Sequence, residues 1–264
     1  MKEDLGTIWQ YRGFMWASVK RDFQTRYQSS LLGIAWLVIQ PLAMILVYTL
    51  IFSKVMQAKI PGNDSGFAYS IYLCSGLLAW GFFAEQLNRT KSTFIENANL
   101  MKKVTFPKFC LPIIVAITAL INFFIIYSLF TVFLVLSGNF PGISFLAIFP
   151  ILFIQLLFTL GLGVALGVLN VFFRDVGQLV DVALQFLFWG TPIVYTIAII
   201  PEWAHFYIFL NPMVHFIEAY QNIMLTQSLP TLNDSIQLCA LAITSLVIGL
   251  YLFKKHSGDM VDEL

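Results

Sequence analysis

Charge is scarce in this chain. Only 11% of its 264 residues are Asp, Glu, Lys or Arg, where a soluble domain carries about 25%, and that scarcity excludes a water-solvated globule. Cysteine is sparser still: Cys74, Cys110 and Cys239 stand far apart, in or beside apolar runs, so neither a disulfide framework nor a metal site is suggested. No G-x-x-x-x-G-K-[ST] segment occurs, which excludes ATP binding by a phosphate-cradling loop of that kind. Asp and Glu are missing from the centres of the apolar runs and no internal repeat is visible, which argues against a proton- or sodium-driven carrier. A membrane-embedded transferase acting on polyprenyl-linked sugars would need clustered acidic or histidine side chains, whereas His205, His215 and His256 are isolated and read as surface histidines. A net charge of +1 gives no reason to expect a nucleic-acid partner. The final Val-Asp-Glu-Leu resembles an ER-retention tag; it reads as a chance match, because this end is expected in the cytoplasm.

What the chain has in abundance is apolar surface. Hydrophobic residues make up 59% of it and the mean hydropathy is +0.81. Six runs are long enough to cross a hydrocarbon core of about 30 Å: 31–52, 67–84, 113–136, 143–172, 182–200 and 236–253. The first inserts unaided, with an apolar gain of roughly −5 kcal/mol. The fifth gains about −4 kcal/mol before the penalties of Gln185, Gly190, Thr191, Pro192 and Thr196, so it is expected inside a bundle. Pro192 should kink or end that helix near Trp189. The first thirty residues carry many charges and no apolar core or small-residue cleavage site, so no signal peptide is expected. With the amino end inside, thirteen of the fifteen Lys and Arg fall on cytoplasmic segments and only Lys54 and Lys59 fall outside, which predicts both termini in the cytoplasm. The expected fold is all-α: one transmembrane domain over 1–264, with an interfacial helix within 1–30, a six-helix bundle over 31–253 and a cytoplasmic tail over 254–264.

Between the spans, four segments carry functional signals. Over 7–27, Ile8, Tyr11, Met15, Val19 and Phe23 recur at helical spacing among Arg12, Lys20, Arg21 and Arg26, the pattern of a helix lying on the membrane surface. The segment 85–107, EQLNRTKSTFIENANLMKKVTFP, is the one sizeable island of charge between apolar runs and reads as a basic amphipathic loop that meets a soluble partner or the membrane surface. Arg174 and Asp175 follow the fourth run directly; they stop a helix at the interface, or with Arg21 and Arg26 meet an anionic headgroup or pyrophosphate, for which a guanidinium is well shaped, or Arg174 ties the short cytoplasmic turn to a partner. Glu85 and Asp181, with Arg174 and Asp175, are expected at span ends within reach of water or headgroups. Segment 201–232 is too polar to cross and should dip in and return, with Asn211 as N-cap, Pro212 as first helical residue, and an apolar stripe of Met213, Phe216, Ile217, Tyr220, Ile223 and Met224 opposite His215, Glu218, Gln221 and Asn222. In the fourth run, Gly161, Gly163 and Gly167 allow another helix to approach closely, or are simply tolerated there. Aromatics form 16% of the chain; most are interface anchors, but deeper rings such as Trp36, Tyr48, Tyr72, Trp80, Trp189 and Tyr195 offer stacking surface to a sliding sugar chain.

Taken in order, RDFQTRYQSSLLGIAWLVIQPL from Arg21, GLLAWGFFAE in the second run, ENANLMKKVTFP from Glu96, FFRD from Phe172, TPIVY from Thr191 and LNPM from Leu210 resemble the membrane subunit of type-2 ABC exporters, specifically the polysaccharide export permeases that move O-antigen, capsule or teichoic-acid chains. The resemblance spans essentially the full length. It implies a transport subunit rather than an enzyme, working as a homodimer with two nucleotide-binding ATPase subunits that hold the ATP and magnesium, so that this chain itself needs no cofactor. It implies a coupling helix at about 92–103, with Glu96, Asn97, Asn99, Leu100, Lys102 and Lys103 meeting the ATPase. It also implies a gate of short re-entrant helices over 201–226 on the outer side, drawn around Pro192, Trp203, Asn211 and Pro212. The expected substrate is a lipid-linked glycan; a drug or lipid pump is the main alternative within the class.

Overall fold

The structure is a computed structural model that describes residues 9–27, 33–51, 66–104 and 106–264; the side chains of Arg26, Tyr27, Ile34 and Leu37 lie outside the described set, as do Lys54 and Lys59. Among the described residues there is no strand. The helices are α1 (Arg12–Tyr27), α2 (Trp36–Tyr48), α3 (Ala68–Glu96), α4 (Ala98–Lys103), α5 (Cys110–Leu136), α6 (Ile148–Phe172), α7 (Asp175–Trp189), α8 (Glu202–Phe209), α9 (Pro212–Thr226), α10 (Leu232–His256) and α11 (Met260–Glu263).

The chain is an all-α polytopic membrane protein. Three described segments are long and apolar enough to cross a membrane: α5, α6 together with the 3-10 turn before it (Gly142–Phe172), and α10. The other three expected spans are built differently. The first is the shorter apolar helix Val38–Ile51, which carries Pro41 inside it and follows a 3-10 turn at Gly33–Ala35; residues 31, 32 and 52 of that run lie outside the described residues. The run 67–84 is only the first part of the 29-residue α3, whose second part turns polar. The fifth starts at Asp175, seven residues before the apolar run, and stops at Trp189 with Gly190 as C-cap. Residues 191–200 are turns and a 3-10 segment, because Pro192 has no amide proton to continue the ladder.

Helix α3 is the axis, packing on α2, α5, α6, α7 and α9, while the most extensive pairing joins α6 to α10. Glycine makes that pairing possible. A Cβ on Gly161 would sit 2.4 Å from the backbone of Ser245 and Leu246, and one on Gly249 would sit 2.3 Å from the Gly161 carbonyl oxygen, so the two backbones touch as small residues permit. Ser245 adds a hydroxyl donated to Phe158 O at 2.6 Å. Gly163 and Gly167 face the other way, against Thr90 and Phe94 of α3. The glycine spacing thus serves two neighbours instead of one.

Helix α9 follows its sequence signature closely. Asn211 Oδ1 accepts from Met213 N at 3.0 Å, Pro212 fills the first turn, and all six stripe residues are buried. The opposite face is not wholly solvated, since Gln221 is also buried.

Candidate functional site

The end of the bundle rich in Lys and Arg corrects the expected loop. Residues 85–96 are helical and belong to α3; the chain turns at Asn97, whose Nδ2 donates to Thr93 O at 2.8 Å, and only 98–103 form the separate short helix α4. The coupling segment expected at 92–103 is therefore the last turn of one helix and the whole of another. Glu96, Asn99, Lys102, Lys103 and Val104 are exposed, while Asn97 and Leu100 are half-buried. Beneath them Met101 is buried in one apolar cluster with Met15 and Val19 of α1, Phe94, Phe106, Phe253 and the fully buried Met260 of α11. That anchor holds the polar surface of α4 in place.

A cavity of about 310 Å³ opens between α1, α3, α4 and α5, where Arg21 joins Glu96, Asn97 and Leu100. Its wall includes an ion pair that the sequence did not indicate: Arg89 donates to Asp22 Oδ2 at 2.5 Å, tying α3 to α1. Arg26 contributes a backbone position on α1, its side chain lying outside the described residues. Arg174 and Asp175 are exposed at the start of α7 and line neither this cavity nor the groove described next; Asp175 sits in the first turn of α7, where the helix dipole favours a carboxylate. Asp181 keeps the access to water expected of it, being 57% exposed, but both Asp181 and Glu85 also have protein partners. Glu85 Oε2 accepts from Asn122 Nδ2 at 2.6 Å, and Asp181 Oδ1 accepts from Lys91 Nζ at 2.5 Å. No local pattern could have revealed these pairs, since partners such as Lys91 and Asp181 stand ninety residues apart.

A lateral groove of about 520 Å³ lies between α2, α3 and α5. Its walls are apolar and aromatic, with Trp36, Tyr48 and Phe123, and its floor carries Glu85 and Arg89. Two of the six aromatics expected along a pathway are therefore brought together here. Trp80 is instead buried between Phe83 and Phe188, at ring distances of 5.4 and 5.7 Å. Trp189 is 66% exposed at the end of α7.

At the far end, the turn after α7 is held by neutral side chains. Tyr72 Oη lies 2.8 Å from Pro192 O and 2.9 Å from Tyr195 O, Gln221 Nε2 donates to Pro192 O at 3.1 Å, and the Tyr69 hydroxyl donates to Val194 O. Asn211 Nδ2 donates to Thr191 Oγ1 at 2.8 Å while its oxygen caps α9, and Tyr195 donates back to Trp189 O at 2.7 Å. These bonds pair carbonyls of the turn and of the helix end, while Phe188 O, the carbonyl that the missing amide of Pro192 leaves open, accepts from Thr191 N at 3.3 Å. Pro192, Asn211 and Pro212 thus gather around one turn. Trp203, 74% exposed on α8, does not join them.

Residues 14–225 match the family described as ABC-2 type transporter. The chain is 34% identical over 260 residues to the O-antigen export system permease protein RfbA of Myxococcus xanthus, covering 97% of each chain. It is 31% identical over 256 residues to the O-antigen export system permease protein RfbA of Klebsiella pneumoniae, covering 97% of this chain and 95% of that one. It is 22% identical over 245 residues to the polysialic acid transport protein KpsM of Escherichia coli, at 91% and 92% coverage. With most of its length matched and its membrane helices gathered on a basic end of the kind just described, the chain belongs to the ABC-2 type transporter family.

Proposed function

We propose that this chain is the transmembrane subunit of an ATP-driven exporter that carries lipid-linked polysaccharide of the O-antigen type from the cytoplasmic side across the inner membrane. The observation that carries the reading is α4: a short helix with exposed Asn99, Lys102, Lys103 and Val104, mounted on the buried Met101 and Met260. A basic surface held rigidly at one end of a membrane bundle suits a soluble partner, and the partner is the nucleotide-binding ATPase subunit, which binds ATP and magnesium. In this reading six segments cross the membrane. Helices α5, α6 and α10 are joined by α2 with its flanks, by the apolar first part of α3, and by α7 with the turn that follows. Both termini face the cytoplasm.

Two copies pair to enclose the pathway, because one bundle is too narrow to surround a hydrated glycan. Trp36 and Tyr48, in the groove, and the exposed Trp189 offer rings for the sugar chain, while Tyr72, Trp80 and Tyr195 support the frame behind them. Arg21, Arg26, Arg174 and Asp175 lie where headgroup or pyrophosphate contact is expected. The turn around Pro192 with Asn211 and Pro212, and Trp203 beyond it, forms the outer gate. The names of the relatives favour a glycan over a drug or a simple lipid.

Replacement of Asn99, Lys102 and Lys103 by alanine tests the reading. The variant chain is expected to reach the membrane at normal levels, to lose co-purification of the ATPase subunit, and to stop export of the glycan. Unchanged partner binding and unchanged glycan-dependent ATP hydrolysis would overturn it.

A further inference from the structure

Lys91 is the one buried charged residue among those described. Its ammonium, on a side chain 5% exposed, donates to Asp181 Oδ1 at 2.5 Å and to the Gly177 carbonyl oxygen at 2.8 Å, both on α7. A second helix completes the arrangement. Asn170 of α6 donates through Nδ2 to the Lys91 carbonyl oxygen at 3.0 Å and accepts at Oδ1 from Gly177 N at 2.9 Å. The bonds form a closed circuit from α3 to α7 to α6 and back. A Cβ at position 177 would lie 2.8 Å from Asn170 Oδ1 and would push that carboxamide out of its place in the circuit.

The partners are unequal. Asp181 is 57% exposed and keeps access to water, whereas Lys91 has given up its hydration and depends on the two oxygens of α7. Moving α7 off α3 therefore strands a cation. Arg89, two residues earlier and so on the opposite side of α3, is less buried than Lys91 and ties α3 to α1 through Asp22. Both ties fall on the last turns of α3, immediately before the corner at Asn97 from which α4 extends.

We propose that Lys91 is a positioning residue for transport: it fixes the first two turns of α7 to the end of α3, so that a displacement imposed on α4 is delivered to α7 instead of being lost as bending at the corner. The proposal rests on the reading of α4 as the ATPase contact. Helix α7 carries the displacement over fifteen residues, about 22 Å, to the turn around Pro192.

The test uses the full complex of this chain with its ATPase subunit in membrane vesicles, comparing Lys91→Met, Lys91→Arg and Asp181→Asn. The readout is glycan exported per ATP hydrolysed, which a general loss of folded protein leaves unchanged because both quantities fall together. Lys91→Met is expected to lower that ratio about tenfold, on the scale of a lost coupling contact, with partner binding intact. Asp181→Asn should lower it less, and Lys91→Arg should recover most of it. If Lys91→Met fails to accumulate, Asp181→Asn, altered at a carboxylate that faces water, decides on the same ratio. A wild-type ratio in Lys91→Met, or in Asp181→Asn where that variant decides, overturns the proposal. The alanine variants of α4 run alongside: if they still bind the ATPase and support export, the reading of α4 falls, whereas if they fail while the ratio at Lys91 is unmoved, only the link to α7 falls.

Discussion

Helix α3 grips both ends of α7, and the two grips differ in kind. At the basic end a buried ammonium holds a carboxylate and a carbonyl, backed by the carboxamide of Asn170. At the far end, nineteen residues earlier on α3 and so about 28 Å away, neutral hydroxyls of α3, joined by the Gln221 amide of α9, hold the carbonyls of the turn after α7. A neutral donor on a carbonyl is a modest bond that costs little to desolvate. A buried charge is costly without its partner and so enforces one arrangement. Separating α7 from α3 would therefore cost more at the basic end than at the far end.

The largest loss is expected where neither grip is touched but both depend on the scaffold behind them. Gly161→Ala places a methyl group 2.4 Å from backbone of α10 that has no side-chain freedom to yield. The cost is about 3 kcal/mol, and both ends should loosen together. Thermal unfolding of the purified chain in detergent measures it; a loss confined to one end, seen by hydrogen exchange, would mean that α6 and α10 are not the shared frame.

A smaller and local effect is expected from Tyr72→Phe. The substitution keeps the ring and removes the hydroxyl, leaving the Tyr195 carbonyl without that donor while Pro192 O retains Gln221. A loss of about 1–2 kcal/mol follows, with faster amide exchange around 193–199 and none at Gly177. Equal changes at both ends would erase the distinction between the two grips.

The same contrast explains what was legible in the sequence. Helix α9 was readable down to its cap because Asn211-Pro212 and the stripe from Met213 to Met224 are local patterns with local causes. The stop at Trp189 was readable for the same reason, since Pro192 acts through its own ring. The polar stretch from Gln86 to Lys91 looked like the start of a loop because its partners are remote. Gln86 donates to Leu156 O of α6, Arg89 pairs with Asp22, and Lys91 pairs with Asp181, so the helix persists through groups that only the fold brings near. The start of α7 was missed likewise: Asp175 to Asp181 reads as polar connection until Lys91 is seen opposite. Of the expected site, the exposed face of α4 was legible as an island of charge, whereas the groove holding Trp36 and Tyr48 depends on how α2 leans on α3 and α5.

The smallest expected effect sharpens the far grip. Glu218 lies three residues before Gln221 on α9, half-buried, and burial holds its carboxyl above the usual carboxylate range, with His215 pulling it down and Asp234 pushing it up. A raised folded-state value means that the protonated form favours the folded chain. That contribution is fully present below the unfolded carboxylate pKa and is lost as pH rises through the raised value. At neutral pH Glu218 is therefore a mild liability, worth well under about 1 kcal/mol because the group is partly solvated. Glu218→Gln should raise stability slightly at neutral pH, and the gain should vanish as pH falls to the ordinary carboxylate range. The hydroxyl and amide bonds of the far grip have no titration of their own there, so the difference between wild type and Glu218→Gln, followed by thermal unfolding against pH, isolates Glu218 from His215 and Asp234, which both chains share. A gain that instead grew toward acid pH would show the carboxylate to be engaged by His215 rather than disfavoured by burial.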